Sequence, residues 1–190
     1  MDLVVITDCI DKSQSLLRYA SGNGYRIAKL VGCKDEASRY VSSLNPDALI
    51  VVCDEVESDV LREMRCISES RPVPVLVFTR DSRSDSIDAA IKAGASAYVV
   101  DCDDPTRLGA LLDVAKARFL EQQNLKNELL KTKYALQERK RVEKAKGIVM
   151  KMRSISEEQA YDAMRKLAMN NNKRIGEIAE QIISASEVLV

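Results

Sequence analysis

Short apolar runs alternate with amphipathic segments along the first hundred residues. Four runs, at 3–6, 48–52, 75–78 and 97–100, are almost wholly apolar and lie next to Asp, Pro or Gly. Near-continuous apolar runs of this length are typical of strands that are buried on both faces of a sheet. A weaker fifth strand is predicted at 26–30, after the sequence Gly22-Asn23-Gly24.

Amphipathic windows that fit helices separate these strands, at 13–20, 36–43, 60–70, 84–93 and 105–119. Strands that alternate with helices specify right-handed crossovers and a parallel sheet with helices on both sides. The pattern therefore predicts an α/β doubly wound, flavodoxin-like domain over residues 1–118. A functional site of this fold is expected at the carboxyl ends of the strands.

The chain after Thr106 contains no Pro and few Gly, which favours helix to the end. A heptad pattern that starts at Leu108 continues through Leu125, Leu129 and Leu136. We therefore predict a coiled-coil linker helix over 119–140 and a parallel homodimer, because a lone charged helix has nothing against which to bury its leucines. The alternative is a single exposed connecting helix.

The last fifty residues predict a small three-helix bundle over 141–190. The first helix continues from the linker, and a break follows near Arg153. Ser156 and Gln159 fit the N-cap and N3 positions of a capping box that starts the second helix. Asn170, Asn171 and Asn172 then end it, since asparagine tolerates the left-handed conformation found at helix ends.

The two halves of the chain carry opposite charge although its 190 residues contain 29 basic and 29 acidic side chains. Residues 1–113 contain 13 basic and 19 acidic residues, whereas residues 114–190 contain 16 and 10. Residues 139–153 contain seven basic residues and a single acid, Glu143. Such asymmetry indicates a nucleic acid or another anionic partner for the second half; the alternative is a solvated helix face.

Several function classes are excluded or disfavoured by composition. The chain has no His, so it contains no Ser-His-Asp triad, no His-ligated metal and no histidine autokinase site. No Gly-rich phosphate loop or nucleophile–base pair is present, and we expect neither enzymatic activity nor a cofactor. The five cysteines lack the paired spacings of metal sites and disulfide frameworks, which favours small buried residues in a reducing compartment over a redox role. They are Cys9, Cys33, Cys53, Cys66 and Cys102.

The sequence also favours a cytoplasmic location. No apolar run reaches the roughly 18 residues that span a bilayer. The first residues, Met1-Asp2-Leu3, lack the basic region of a secretory signal. We therefore expect a protein with no membrane partner.

The first domain resembles the receiver domains of response regulators. The resemblance implies acids after the first strand that hold Mg²⁺, a phosphoryl-accepting Asp at the end of the third strand, and Thr or Ser and Lys residues that contact the phosphoryl oxygens. Asp8 and Thr79 stand at two of these positions. Asp54 lies two residues beyond the acceptor position, which falls near Val52.

Two further positions depart from the receiver pattern. Thr7 replaces the second acid, and Asp101 stands where the resemblance implies a lysine. A carboxylate at that position would repel a phosphorylated Asp54. We therefore expect a degenerate phosphoacceptor pocket, formed by Asp8, Asp54, Thr79 and Asp101, that is not phosphorylated and holds no metal. The alternative is that Asp54 with Asp8 still accepts a phosphoryl group.

The last domain resembles the ANTAR domain of bacterial transcription antiterminators, on four segments: 141–150, 156–161, 164–169 and 178–183. The likeness is greatest to the NasT type, which acts in nitrate and nitrite assimilation, and looser to the AmiR type. It implies binding to paired hairpins in a nascent leader mRNA, which prevents a terminator from forming and affects RNA polymerase only indirectly. It also implies a nitrate-sensing protein partner that sequesters the regulator.

The resemblance places candidate RNA-binding residues at the matched positions Ala145, Lys146, Gly147, Tyr161, Arg165, Met169 and Ala179. Neighbouring cations extend this set: Arg141, Lys144, Lys151, Lys166, Lys173 and Arg174. We expect Lys146 and Arg165 to belong to one outward-facing surface. We expect Gly147 to allow close approach by a neighbouring helix or an RNA backbone. Two alternatives stay open: a phosphorylation-dependent response regulator that binds duplex DNA, and an adaptor that binds only proteins.

Overall fold

The computed structural model describes residues 1–8, 10–101 and 104–188, and it divides into two compact units, Met1–Gln123 and Asn124–Val190. A single helix of 46 residues, Leu108–Arg153, contributes to both units. No helix end therefore marks the predicted boundaries at 118 and 140, and those boundaries stay predictions. Within the described residues, no helix is both long enough and apolar enough to cross a membrane.

The first unit is a five-stranded parallel sheet with the strand order β2-β1-β3-β4-β5. All five predicted strands are confirmed. The strands and helices, in chain order, are β1 Asp2–Thr7, α1 Ile10–Gly22, β2 Arg26–Gly32, α2 Ala37–Leu44, β3 Ala48–Val52, α3 Ser58–Ser70, β4 Val75–Thr79, α4 Ser84–Lys92, β5 Ala97–Val100 and α5 Leu108–Arg153.

Alternate residues of each strand pack into two separate cores, one on each face of the sheet. On one face, Val4, Leu49 and Val77 pack with residues of α2, α3 and α4. On the other face, Val5 and Ile50 pack with residues of α1 and the start of α5. This arrangement confirms the predicted doubly wound fold, because burial on both faces is what the apolar strand sequences require.

The first two turns of α5 belong to the core of the first unit. Leu108, Leu112 and Ala115 are each at most 1% exposed and pack against the sheet. The heptad seam read from Leu108 is therefore wrong at its start, since Leu108 and Ala115 already have partners within the chain. Leu125, Leu129 and Leu136 are exposed, so the predicted seam is left to the part of the helix beyond residue 120.

The second unit contains the three helices predicted for its end: the last part of α5, α6 Glu157–Asn170 and α7 Ile175–Val188. Val142 and Ala145 of α5 pack with Met164 of α6 and Ala179 of α7 in a small core. The predicted capping box is confirmed, since the Ser156 side chain accepts a hydrogen bond from the Gln159 backbone N–H while the Gln159 side chain accepts one from the Ser156 N–H.

Candidate nucleic-acid interface

A groove where α6 ends and α7 begins collects one aromatic ring and three cations. Tyr161, Arg165 and Met169 are spaced by four residues on α6 and lie on one face of the helix. Tyr161 is 43% exposed and Met169 is 72% exposed, so both present apolar surface to solvent. The residues that line the groove are Tyr161, Arg165, Ala168, Met169, Asn172, Lys173, Arg174, Ile175 and Glu177.

Backbone hydrogen bonds fix the turn that carries the other two cations. Asn172 has the left-handed φ of 52° that the asparagine run predicts, and Lys173 N–H donates to the Ala168 carbonyl at 3.0 Å. The Glu177 carboxylate accepts from the Arg174 N–H at 2.8 Å, which caps the start of α7. Lys173 and Arg174 therefore stand on a defined turn beside Arg165.

A second groove lies between α5 and α7. Lys140, Arg141 and Lys144 line it on α5, together with Glu180, Ile183 and Ser184. Arg141 forms an ion pair with Glu180 at 3.7 Å, which offsets part of the positive charge. Sequence reasoning missed Lys140, although it lies four residues before Lys144 on the same side of the helix.

Lys146 is not part of an outward-facing surface. Its side chain is only 10% exposed, and its Nζ lies 2.6 Å from Glu143 Oε2 and 2.7 Å from Glu157 Oε1. Lys146 donates hydrogen bonds to both carboxylates, and these bonds, of which the one to Glu143 has the larger effect, raise the pKa of Lys146 above its ordinary value. The expectation that Lys146 shares an exposed surface with Arg165 is therefore wrong, because two acids of the same unit surround its ammonium group.

Gly147 has no close neighbour in its own unit. A methyl group built on its α-carbon would meet no atom of the described residues within 4 Å, so the expected close approach by a neighbouring helix is wrong at this position. Close helix contact occurs at Gly176 of α7 instead, where a methyl group would lie 2.7 Å from Glu138 Oε1 of α5. Approach of an RNA backbone to Gly147 stays a prediction.

The predicted cations thus fall into separate places rather than one surface. Lys151 and Lys166 are exposed, and within the described part of the chain they line neither of the two grooves. Ala145 and Ala179, which the family resemblance also matched, are fully buried in the bundle core.

Hydrogen bonds within the chain connect the residues of the receiver-like pocket of the first unit. The Asp54 N–H donates to Asp8 Oδ2 at 3.2 Å. The Thr79 hydroxyl donates to the Asp54 carbonyl at 2.7 Å and accepts from the Asp81 N–H at 3.1 Å. The hydroxyl proton that would meet a phosphoryl oxygen is therefore already used within the chain.

A cation near this pocket is also paired with carboxylates of the chain. Arg83 donates to the buried Asp81 side chain at 2.7 Å and to Glu55 at 3.3 Å. The hydrogen bond from Arg83 is the main reason that the pKa of Asp81 lies well below its usual range. The Tyr98 hydroxyl donates to the Asp81 carbonyl at 2.8 Å, which joins β5 to the same loop.

Asp101 follows β5 with a left-handed φ of 50°, and its N–H donates to the Thr79 carbonyl at 3.1 Å. Its side chain is exposed and acidic. Among the described residues, no group of three or more Cys, Asp or Glu side chains is arranged to hold a metal ion.

Cys33, which is half-buried, and Cys53, which is buried, are poor nucleophiles. Burial raises the pKa of Cys53 to about 12 and that of Cys33 to about 11. Thiols with such values carry little thiolate near neutral pH. Cys66 is exposed, and Cys9 and Cys102 lie outside the described residues.

Comparison with known proteins identifies the second unit. The family model described as the ANTAR domain matches residues 130–183. This chain carries an ANTAR domain. The transcriptional regulatory protein PdtaR of Mycobacterium tuberculosis is 28% identical over 160 residues, which cover 84% of this chain and 78% of that protein. The similarity to this regulator therefore extends over both units of the chain.

Two further comparisons concern the separate units. The nitrate regulatory protein of Klebsiella oxytoca is 42% identical over 74 residues, which cover 39% of this chain and 19% of that protein. The receiver domain of a diguanylate cyclase from Desulfovibrio desulfuricans superimposes with a TM-score of 0.55 at 14% identity, and covers 64% of this chain and 97% of that domain. The chain therefore combines a segment that matches the ANTAR domain with a first unit that has the receiver fold.

Proposed function

We propose that the protein is an RNA-binding transcription antiterminator whose ANTAR domain binds paired hairpins in a nascent leader mRNA. The groove at the α6–α7 turn is the observation that carries this proposal. It brings an exposed tyrosine, an exposed methionine and Arg165 on α6 together with two cations on a fixed turn, and Glu177 is the acid that caps α7. Held in place by the bound protein, the hairpins would prevent a terminator stem from forming.

The groove suits unpaired loop nucleotides better than a duplex. Sequence-specific RNA recognition commonly stacks splayed bases on aromatic rings and guanidinium planes. Tyr161 and Arg165 supply these two groups one helical turn apart, and Lys173 and Arg174 can pair with the flanking phosphates. In this proposal Arg141, Lys144 and Lys151 of α5 follow the phosphate backbone of the stem, and Gly147 gives that backbone room to approach. Lys166 extends the cationic surface of α6.

The receiver unit acts in this proposal without phosphorylation. Thr79 is hydrogen-bonded to the chain, Arg83 is paired with Asp81 and Glu55, and Asp101 adds negative charge where a phosphoryl group would need a cation. Mass measurement of the intact protein after incubation with Mg²⁺ and acetyl phosphate should show no phosphoryl adduct. A stoichiometric adduct that disappears in Asp54→Ala would contradict this part of the proposal.

Control by a partner protein and a role in nitrate assimilation rest on the similarity to the nitrate regulatory protein and on the ANTAR resemblance. In this proposal a nitrate-sensing protein sequesters the regulator, and a homodimer through residues 119–140 presents two ANTAR domains to two hairpins. The presence of paired hairpins before neighbouring nitrate uptake or reduction genes would support the assignment; their presence before unrelated genes would contradict it.

Selection from an RNA library tests the proposed binding. The library carries two adjacent hairpins with randomised loops, and the full-length protein should enrich molecules whose loop sequences converge. Affinity for the enriched RNA should fall about tenfold in Arg165→Ala, because a stacking guanidinium and its charge are lost. Lys133→Ala, which removes an exposed cation from α5 outside both grooves, serves as the control and should bind normally. Enrichment without loop convergence, or normal binding by Arg165→Ala, would count against the proposal.

A further inference from the structure

Lys146 forms a bridge between two helices of the ANTAR domain. Its ammonium group contacts Glu143 one turn earlier on α5 and Glu157, the first residue of α6. The lysine stem is buried between the helices while both carboxylates stay largely exposed. We call these three residues the α5–α6 clasp.

We propose that the α5–α6 clasp positions the RNA-binding face of α6, and that Lys146 is a positioning residue which does not itself contact RNA. This inference rests on the proposed RNA-binding function. The geometry points to it because the Lys146 side chain is only 10% exposed and two carboxylates hold its ammonium group, so a phosphate would have to displace Glu157 from a 2.7 Å contact.

The clasp lies at the point where the direction of α6 is set. The chain between α5 and α6 turns through Ser154, which has a left-handed φ of 52°, and the capping box then starts α6 at Ser156. A hydrogen-bonded ion pair at Glu157 fixes the first turn of α6 against α5. Tyr161 follows one turn later and Arg165 one turn after that, so a shift at Glu157 moves both groove residues.

The direction in which one substitution changes the affinity for RNA distinguishes a positioning role of Lys146 from direct contact with RNA. Glu157→Gln keeps the shape of the side chain but removes the charge that holds Lys146. If the clasp positions α6, affinity for two-hairpin RNA falls, by about fivefold for the loss of a partly buried charge pair. If Lys146 contacts phosphate, affinity stays the same or rises, because its ammonium group is released and one acid near the RNA is gone.

Glu158→Gln is the matched control, since it removes an exposed acid from the same first turn of α6. The RNA would be the two-hairpin species enriched by the wild-type protein. Lys146→Met should lower affinity as Glu157→Gln does, while the slope of log K against log salt stays at its wild-type value. Circular dichroism of each variant at the binding temperature should show an intact helical signal.

Three outcomes would overturn the positioning role of Lys146, and a fourth would refute the proposed function. RNA binding by Glu157→Gln that equals or exceeds that of Glu158→Gln overturns the positioning role, and so does a salt slope reduced by about 0.7 in Lys146→Met, the share of one lost phosphate contact. Weaker binding that accompanies loss of the helical signal also overturns it, because the clasp would then only keep the bundle folded. A wild-type protein that binds no two-hairpin RNA refutes the proposed function itself, and the inference with it.

Discussion

Gly147 is a residue whose presence the fold of its own unit does not explain. It lies inside α5, and a methyl group on it would meet only open space among the described residues. A glycine inside a helix lowers the stability of the fold by roughly 1 kcal/mol relative to alanine, because glycine loses more conformational freedom on folding. Contact with a molecule outside the chain is a physical reason for accepting that cost, and the proposed RNA backbone is such a molecule.

Gly147→Ala should therefore stabilise the protein and weaken its function. The free energy of unfolding should rise by about 0.5–1 kcal/mol, measured by urea denaturation followed by circular dichroism. Affinity for two-hairpin RNA should fall at the same time, because the new methyl group holds the RNA backbone away from the helix.

Asn127→Ala provides the comparison, since it raises helix propensity at an exposed position of α5 outside the basic grooves. It should stabilise the protein without changing RNA affinity. Unchanged RNA binding by Gly147→Ala would remove Gly147 from the proposed interface.

Residue-level expectations from the sequence succeeded where one local pattern decides the outcome. Ser156 and Gln159 form the capping box because all of its partners lie within four residues. The exposure of Lys146 was wrong because its second partner, Glu157, is eleven residues away on another helix. The spacing of charges along one helix does not show which acid of the next helix will lie beside them in the folded protein.

At the level of elements, a side chain of the following helix accepts a hydrogen bond from the first turn of α2. Its N-cap residue, Glu36, makes no side-chain cap. Instead the carboxylate of Glu63, a buried residue of α3, accepts a hydrogen bond from the Ser38 N–H at 3.0 Å. The contact joins α2 to α3 on one face of the sheet and satisfies a backbone donor that helix geometry leaves free.

Removing this cap should destabilise the first unit. We expect Glu63→Ala to lower the free energy of unfolding by about 1–2 kcal/mol, since it leaves a helix N–H without its acceptor. Glu63→Gln keeps an acceptor oxygen and should cost less. Chemical denaturation of the wild-type protein and of both variants gives their free energies of unfolding. Glu69→Ala, which removes an exposed acid from the same helix, is the control. Equal effects of the changes at positions 63 and 69 would show that the cap contributes nothing.

The elements themselves followed closely from the sequence. The apolar runs predicted β3 and β5 at their observed bounds, because strands buried on both faces carry an unbroken apolar signal. The heptad pattern was a less reliable guide, since one leucine spacing includes both Leu108, which packs in the core against the sheet, and Leu129, which is exposed to solvent. A repeat along one helix cannot tell which partner each turn will meet.

At the scale of the whole molecule, the exposed leucines of α5 are the basis of the proposed homodimer. Leu125, Leu129 and Leu136 lie within about 40° of one another around the helix at 100° per residue. Leu130 is equally exposed, 56% against 54% for Leu129, but it points about 100° away from Leu129. Adjacent leucines of equal exposure thus differ in whether they belong to the predicted seam.

A pair of substitutions tests the proposed parallel homodimer. Leu129→Asp should convert the dimer to a monomer at micromolar concentration, because it buries a charge in the seam. Leu130→Asp should leave the dimer intact. Sedimentation equilibrium gives the mass of each species. A monomeric wild-type protein, or a dimer broken only by Leu130→Asp, would contradict the seam.

We propose that the ANTAR domain acts on folded RNA rather than on duplex DNA. The most direct measurement compares the affinity of the full-length protein for the selected two-hairpin RNA and for duplex DNA of the same sequence, over a matched salt series. We expect the RNA to bind more tightly at every salt concentration, with a log–log slope of about −0.7 for each phosphate contacted. Tighter binding of the duplex, or equal affinity for both, would contradict the assignment.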